Sequence, residues 1–255
     1  MRLRSTLAAT TAVAMLAIAV AAVLGTADDR SLTSVGSPEI VRIGSGTATY
    51  RLPGEYIAGN QPTDAPERPL TFAHSFDMMK FQVSTAEYAL CVAAKACKAA
   101  DGRQDDGDRP VTGVDHQDAT AYADWLSRQT GEQWRLPSDA EWVFAAAERF
   151  REEGLGLKDD GSNPALRWLA RYRKEAANAA PDPEPKPRGY FGANSRGVAD
   201  MSGNVWEWTS TCYTRATIDR EGTPGQRVEN CGARVAGGKH RAYMSFFIRD
   251  GKSGG

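Results

Sequence analysis

Four cysteines, Cys91, Cys97, Cys212 and Cys231, and the apolar N-terminal run that precedes them all constrain this 255-residue chain more than any other feature. Arg2 and Arg4 supply positive charge, Leu7 to Leu24 is almost uninterruptedly apolar, and Gly25-Thr26-Ala27 offers small residues before Asp28-Asp29. That is the layout of an export signal. The run is also near the ~18 residues at which a membrane-spanning anchor becomes feasible. Alanine dominates it, however, and no basic stop-transfer cluster follows. Cleavage is therefore expected, with residues 1–27 as signal peptide and 28–255 as a mature, periplasmic or otherwise exported part that has no membrane association afterwards.

In an oxidising compartment an even number of cysteines reads as a disulfide framework. Four cysteines admit three connectivities. Nearness in sequence favours Cys91 with Cys97 and Cys212 with Cys231, while bridging itself depends on Cα separation and side-chain direction. A zinc or copper thiolate site is the rival reading. It is disfavoured because the spacings match no standard zinc pattern and no histidine sits at ligand spacing from either pair.

The mature length suits one domain. Lys and Arg total 31 against 32 Asp and Glu, so neither nucleic acid nor an anionic membrane surface is an expected partner. Thr-, Val- and Ile-bearing sequence with glycines from Glu39 to Leu52 predicts strands and tight turns. Ser84 with Glu87 forms a capping-box pattern and predicts a helix near 85–95, with Tyr88, Cys91 and Val92 on one face. Asp115 is the expected N-cap of a second helix over about 116–130, stopped by Gly131. Ser138 and Glu141 repeat the capping box after Pro137 and start a third, with Trp142, Ala145 and Ala146 as its apolar face.

Arg151 to Asn163 is charged and glycine-bearing, and alternating prolines from Pro181 to Pro187 forbid a helix or central strand. Both are expected surface connections. The remaining chain lacks helical periodicity, so the C-terminal half is expected to be irregular and held by turns, tryptophans and a cystine.

Three ordered segments then carry identity: Phe81-Gln82-Val83-Ser84-Thr85-Ala86-Glu87-Tyr88; Pro110-Val111-Thr112-Gly113-Val114 running through Tyr122, Trp125 and Leu126 to Arg135-Leu136-Pro137-Ser138-Asp139-Ala140-Glu141-Trp142; and Gly197-Val198-Ala199-Asp200-Met201-Ser202-Gly203-Asn204-Val205-Trp206-Glu207-Trp208-Thr209. Together they resemble the formylglycine-generating enzyme, or sulfatase-modifying factor, family over roughly residues 70 to 249. The resemblance implies that family's α+β, irregular C-type-lectin-like fold, low in regular secondary structure.

In the third segment two carboxylates flank a glycine-containing turn and could present several oxygens to one hard cation, as calcium prefers. The resemblance implies a structural calcium there, held by the side chains of Asp200 and Glu207 and the carbonyls of Gly203 and Val205. Alternatively, Asp200 and Glu207 satisfy backbone donors in a tight turn. The family's catalytic cysteine pair binds copper, as soft thiolates suit its reduced state. Alignment on Gly237-Gly238 and Ser245 puts Ala242 and Phe247 at those two places, and neither side chain can bind a metal. Formylglycine-generating oxidation is therefore not expected.

The rival to this loss is a rebuilt metal site using His240 and Met244, joined by His116 and His74. Copper or iron is disfavoured, because histidine-bound iron in relatives of this fold draws on an additional helical domain. Lys239-His240-Arg241 with Arg249 could form a basic pocket for a carboxylate or phosphate, or else a solvated charged turn.

The export signal, Cys91 and Cys97 spaced by five residues, and the altered last segment resemble the accessory branch linked to copper nitrite reductases. That implies an accessory or maturation role toward an exported protein partner, a periplasmic metalloenzyme of denitrification. The alternative is a metal-dependent oxidoreductase acting on a peptide or small molecule. The family's closing Gly-Phe-Arg segment is missing before Gly255, which leaves open a native chain that continues further.

Overall fold

A computed structural model describes residues 36–102, 107–150, 184–219 and 221–249. The expected signal peptide, the charged stretch from Arg151 to Asn163 and the prolines at 181 and 183 lie outside the described residues.

The three helices begin where their caps place them. Helix α1 (Thr85–Ala93) starts at Ser84, whose side chain accepts from Glu87 N while Glu87 reaches back to the cap. Helix α2 (His116–Thr130) starts at Asp115, and Asp118 completes a reciprocal box; it ends at Gly131 with φ 74°, a left-handed turn that glycine adopts without a Cβ penalty. Helix α3 (Asp139–Ala146) starts at the Ser138/Glu141 box, which Arg135 braces with two bonds of 2.8 and 2.6 Å to the Glu141 carboxylate. That pairing holds the Glu141 carboxyl below its ordinary pKa.

The strands are β1 (Ile40–Ile43), β2 (Gly46–Arg51), β3 (Glu55–Ala58), β4 (Gln61–Thr63), β5 (Glu67–Phe72), β6 (Phe76–Met79), β7 (Glu207–Ile218), β8 (Pro224–Gly237) and β9 (Ala242–Ser245). They build two antiparallel pairs, β1 with β6 and β2 with β5, and a five-stranded sheet ordered β4-β3-β7-β8-β9 in which β3 and β7 run parallel.

The expectation of an irregular C-terminal half holds for the described residues 184–206. Beyond them lie the two longest strands, of 12 and 14 residues. The signal was period two rather than helical: Thr209, Cys212, Thr214 and Ala216 are buried along β7 and half-buried or exposed residues separate them, with bulges shifting the register. Threonine and aromatic side chains fit such a pleated, half-buried surface. The cystine Cys212–Cys231, with Cα atoms 4.5 Å apart, ties the two strands, and Cys91–Cys97 closes the end of α1 with Cα atoms 5.3 Å apart. All four sulfurs are therefore committed, and the thiolate-metal reading falls away.

Two hydrophobic clusters form the interior. One gathers Ile43, Trp142, Phe144, Phe150, Val198 and Met201; the other gathers Tyr88, Cys91, Cys97, Tyr122, Trp125 and Leu126. Helix α3 packs on β2, β7 and β8, and so fixes where the turn before β7 sits. Among the described residues no helix is long and apolar enough to cross a membrane.

Candidate functional site

The segment leading into β7 is a strained turn. Asp200, Ser202 and Asn204 adopt φ of 59°, 57° and 73°, a region that costs non-glycine residues energy and is least penalised for Asp and Asn. Asp200 is 1% exposed. Its carboxylate accepts the backbone N–H of Phe191 at 2.8 Å and that of Gly189, so the segment after the proline-rich connection is tied to the turn. Asn204 clamps the same connection, exchanging bonds of 2.7 and 2.9 Å with the backbone of Lys186.

Glu207 begins β7 on the opposite side of the strand from Trp206 and Trp208, by the two-residue alternation of side chains. Its carboxylate accepts from Gln82 Nε2 at 2.7 Å and Trp142 Nε1 at 3.0 Å. Burial pushes its pKa up to about 7, and the Asp200 carboxylate adds to the rise. Gln82 Nε2 also donates to the Gly203 carbonyl at 3.2 Å. One amide nitrogen thus bridges the Glu207 carboxylate and the Gly203 carbonyl. Val205 is buried, and its N–H donates to the same carbonyl at 3.0 Å.

Of the groups expected to hold calcium, the buried Asp200 carboxylate and the part-buried Glu207 carboxylate are near enough for one to raise the other's pKa, and with the Gly203 carbonyl they are oxygens of the type a hard cation takes. Gln82 Oε1 and Ser202 Oγ, flanking this turn, are buried without a hydrogen-bond partner, and unmet oxygens of that kind suit a cation. Asp200 and Glu207 also serve backbone and side-chain donors, as the alternative reading held.

Sequence reasoning missed two contributors. Gln82 was quoted within the first segment without a role. Gly237 pairs with Glu207 across β7 and β8, and a Cβ placed on it would lie 2.4 Å from the Trp142 indole. Glycine there lets the indole reach Glu207; a glycine next to a strand end is the only signal the sequence offers.

Ala242 opens β9 opposite Ala236, and Phe247 is 61% exposed in the turn after that strand. His240 packs edge-on against Trp206 with ring centroids 5.0 Å apart, His116 against Trp208 at 5.8 Å, and His74 is exposed on the β5–β6 turn. Burial lowers the His116 pKa. Among the described residues the one cluster of three His, Cys, Asp or Glu ligand atoms is Cys212, Glu229 and Cys231, whose sulfurs are in a cystine.

Of the run read either as a basic pocket or as a solvated charged turn, Lys239 and His240 are exposed, while Arg241 and Arg249 turn inward. Arg241 is buried, and its fork grips buried Asp139 at 2.8 and 2.9 Å, with Tyr50 donating to the same carboxylate at 2.5 Å. Arg249 reaches Asp118 at 2.5 Å and Asp101 at 2.9 Å. Both guanidinium groups are used internally, because each faces a carboxylate that burial leaves without water.

An α+β domain of low regular structure, organised around a tryptophan-flanked turn at the start of a central strand, is a C-type-lectin-like domain of the formylglycine-generating type. The chain belongs to the sulfatase-modifying factor enzyme 1-like domain family, whose model matches residues 28–255. It is 38% identical over 118 residues to the formylglycine-generating enzyme of Mycobacterium tuberculosis, a match covering 45% of this chain and 38% of that one. It is 32% identical over 123 residues to the inactive C-alpha-formylglycine-generating enzyme 2 of Mus musculus, covering 43% of this chain and 34% of that one. The matches span less than half the length of these curated relatives. Among solved structures, PvdO from Pseudomonas aeruginosa superposes with a TM-score of 0.54 at 24% identity over 85% of this chain and 90% of that one, a likeness of fold.

Proposed function

We propose that this chain is an exported member of the family that acts without formylglycine chemistry, as an accessory or maturation factor for a periplasmic protein partner, a metalloenzyme of denitrification. The observation that carries the reading is the pair Ala242 and Phe247 at the places of the catalytic cysteines, together with the commitment of all four cysteines to cystines. A relative named as inactive among the matches supports a non-catalytic member of this fold.

In this reading the turn from Asp200 to Glu207 holds a structural calcium through Asp200, Glu207 and the carbonyls of Gly203 and Val205. The ion's role is to neutralise two buried carboxylates and to lock the tryptophan-bearing start of β7. Elemental analysis of the purified, signal-free protein tests the proposal. Calcium alone at one equivalent is the expected result. Copper or iron in stoichiometric amount that survives dialysis overturns it in favour of a metal-dependent oxidoreductase. A peptide bearing the sulfatase Cys-x-Pro-x-Arg signal should yield no aldehyde.

A further inference from the structure

Strand β8 pairs with β7 in regular register over Arg227–Asn230, with register shifts on either side, and with β9 only from Ala233 to Ala236. Along Pro224–Asn230 the outer edge of β8 has no partner among the described residues. Gly225 to Gly232 are exposed in unbroken succession, and Val228, an apolar β-former, is 56% exposed. Such an edge presents unmet backbone N–H and C=O groups and is a template for another strand. The opposite edge of the same sheet is blunted: β4 has three residues, of which Pro62 lacks a donor.

The residues along the open edge are self-complementary. We propose that it pairs antiparallel with the same edge of a second copy of this chain, about a two-fold axis through Val228. That register sets Arg227 opposite Glu229 of the second copy, Glu229 opposite its Arg227, Gln226 opposite its Asn230, and Val228 against its counterpart. Both charge pairs are opposite in sign, the arrangement that stabilises directly facing residues in a sheet, whereas like charges there destabilise. A two-fold interface requires this reciprocity. Within one copy Arg227 also donates to Thr214 Oγ1 at 3.1 Å, while its contact with Glu229 is a loose 3.9 Å with each side chain 55% exposed, so the ion pair can be exchanged for closer ones across the interface. Cys212–Cys231 fixes the strand at the inner end of the edge, and the turn Asp219–Thr223 closes the outer end. Two five-stranded sheets become one continuous sheet.

Sedimentation equilibrium on the signal-free protein over a concentration series tests this. The wild type should show a monomer–dimer equilibrium. Arg227→Glu makes the facing positions all acidic, Glu229→Arg makes them all basic, and each should weaken self-association by at least about tenfold. Mixing the two single variants should restore dimers as heterodimers, and the double reversal should restore the homodimer. Circular dichroism confirms folding, since both side chains are exposed. A wild type that stays monomeric at every concentration overturns the proposal, as does a dimer that the charge reversals leave intact.

Discussion

The indole Nε1 of Trp142 donates to Glu207 Oε2 over 3.0 Å, joining helix α3 to the first residue of β7. Gly237, opposite Glu207 on β8, leaves the space the indole occupies. Helix α3, Gly237 and the turn holding Asp200 therefore meet around one carboxylate.

Gly237→Ala should destabilise the mature protein by about 2–4 kcal/mol, because its Cβ would overlap rigid ring atoms. Trp142→Phe should cost about 1–3 kcal/mol by leaving a buried carboxylate oxygen without its donor. In urea denaturation with cystines intact, the double variant should lose less than the sum, since the smaller ring makes room for the alanine. Strict additivity would place the clash elsewhere.

Calcium should raise the thermal midpoint of the metal-free protein, and Glu207→Gln should abolish that rise while keeping the size of the side chain. Asp200→Asn retains an oxygen donor and should weaken calcium binding less than Asp200→Ala does. Isothermal titration calorimetry with calcium chloride reads both effects; binding undiminished in Glu207→Gln would remove the ion from this turn.

Asp139→Ala should destabilise by about 3–5 kcal/mol, since it takes from buried Arg241 the carboxylate its fork grips and from Tyr50 its acceptor. Replacing both members with apolar residues, as in Asp139→Leu with Arg241→Met, should recover most of that loss. Chemical denaturation of the two variants checks it.

The His116 pKa is lowered, first by burial and then by Arg234. A histidine whose folded pKa lies below its unfolded value of about 6.5 binds fewer protons when folded. Its contribution is complete above about pH 6.5 and declines as the pH falls toward the folded pKa. Stability measured across that window should fall less steeply in His116→Asn, and the wild-type imidazole should titrate below 6.5 by NMR.

The helices were legible because their signals are local. Ser84, Asp115 and Ser138 each bond within a single turn, and Gly131 ends α2 by its own backbone freedom. The turn from Asp200 to Glu207 was legible as a motif, since its candidate oxygens lie within eight residues. The nearest-neighbour choice of Cys91 with Cys97 and Cys212 with Cys231 matches the cystines in the structure. Strands β7 and β8 were not legible, because bulges interrupt the two-residue alternation that would mark them.

What the sequence by itself determined is what short-range chemistry decides: the capped helices, the family motifs, and the absence of a thiolate pair at Ala242 and Phe247. Tertiary structure alone decided which charges are spent. Arg241 and Arg249 look like ligand-binding groups in isolation, and become structural only when Asp139 and Asp118, more than a hundred positions away in chain, are folded against them. The same long-range closure brought Gln82 and Trp142 to Glu207. A buried charge must find its partner wherever the fold brings one, and no local pattern encodes that distance.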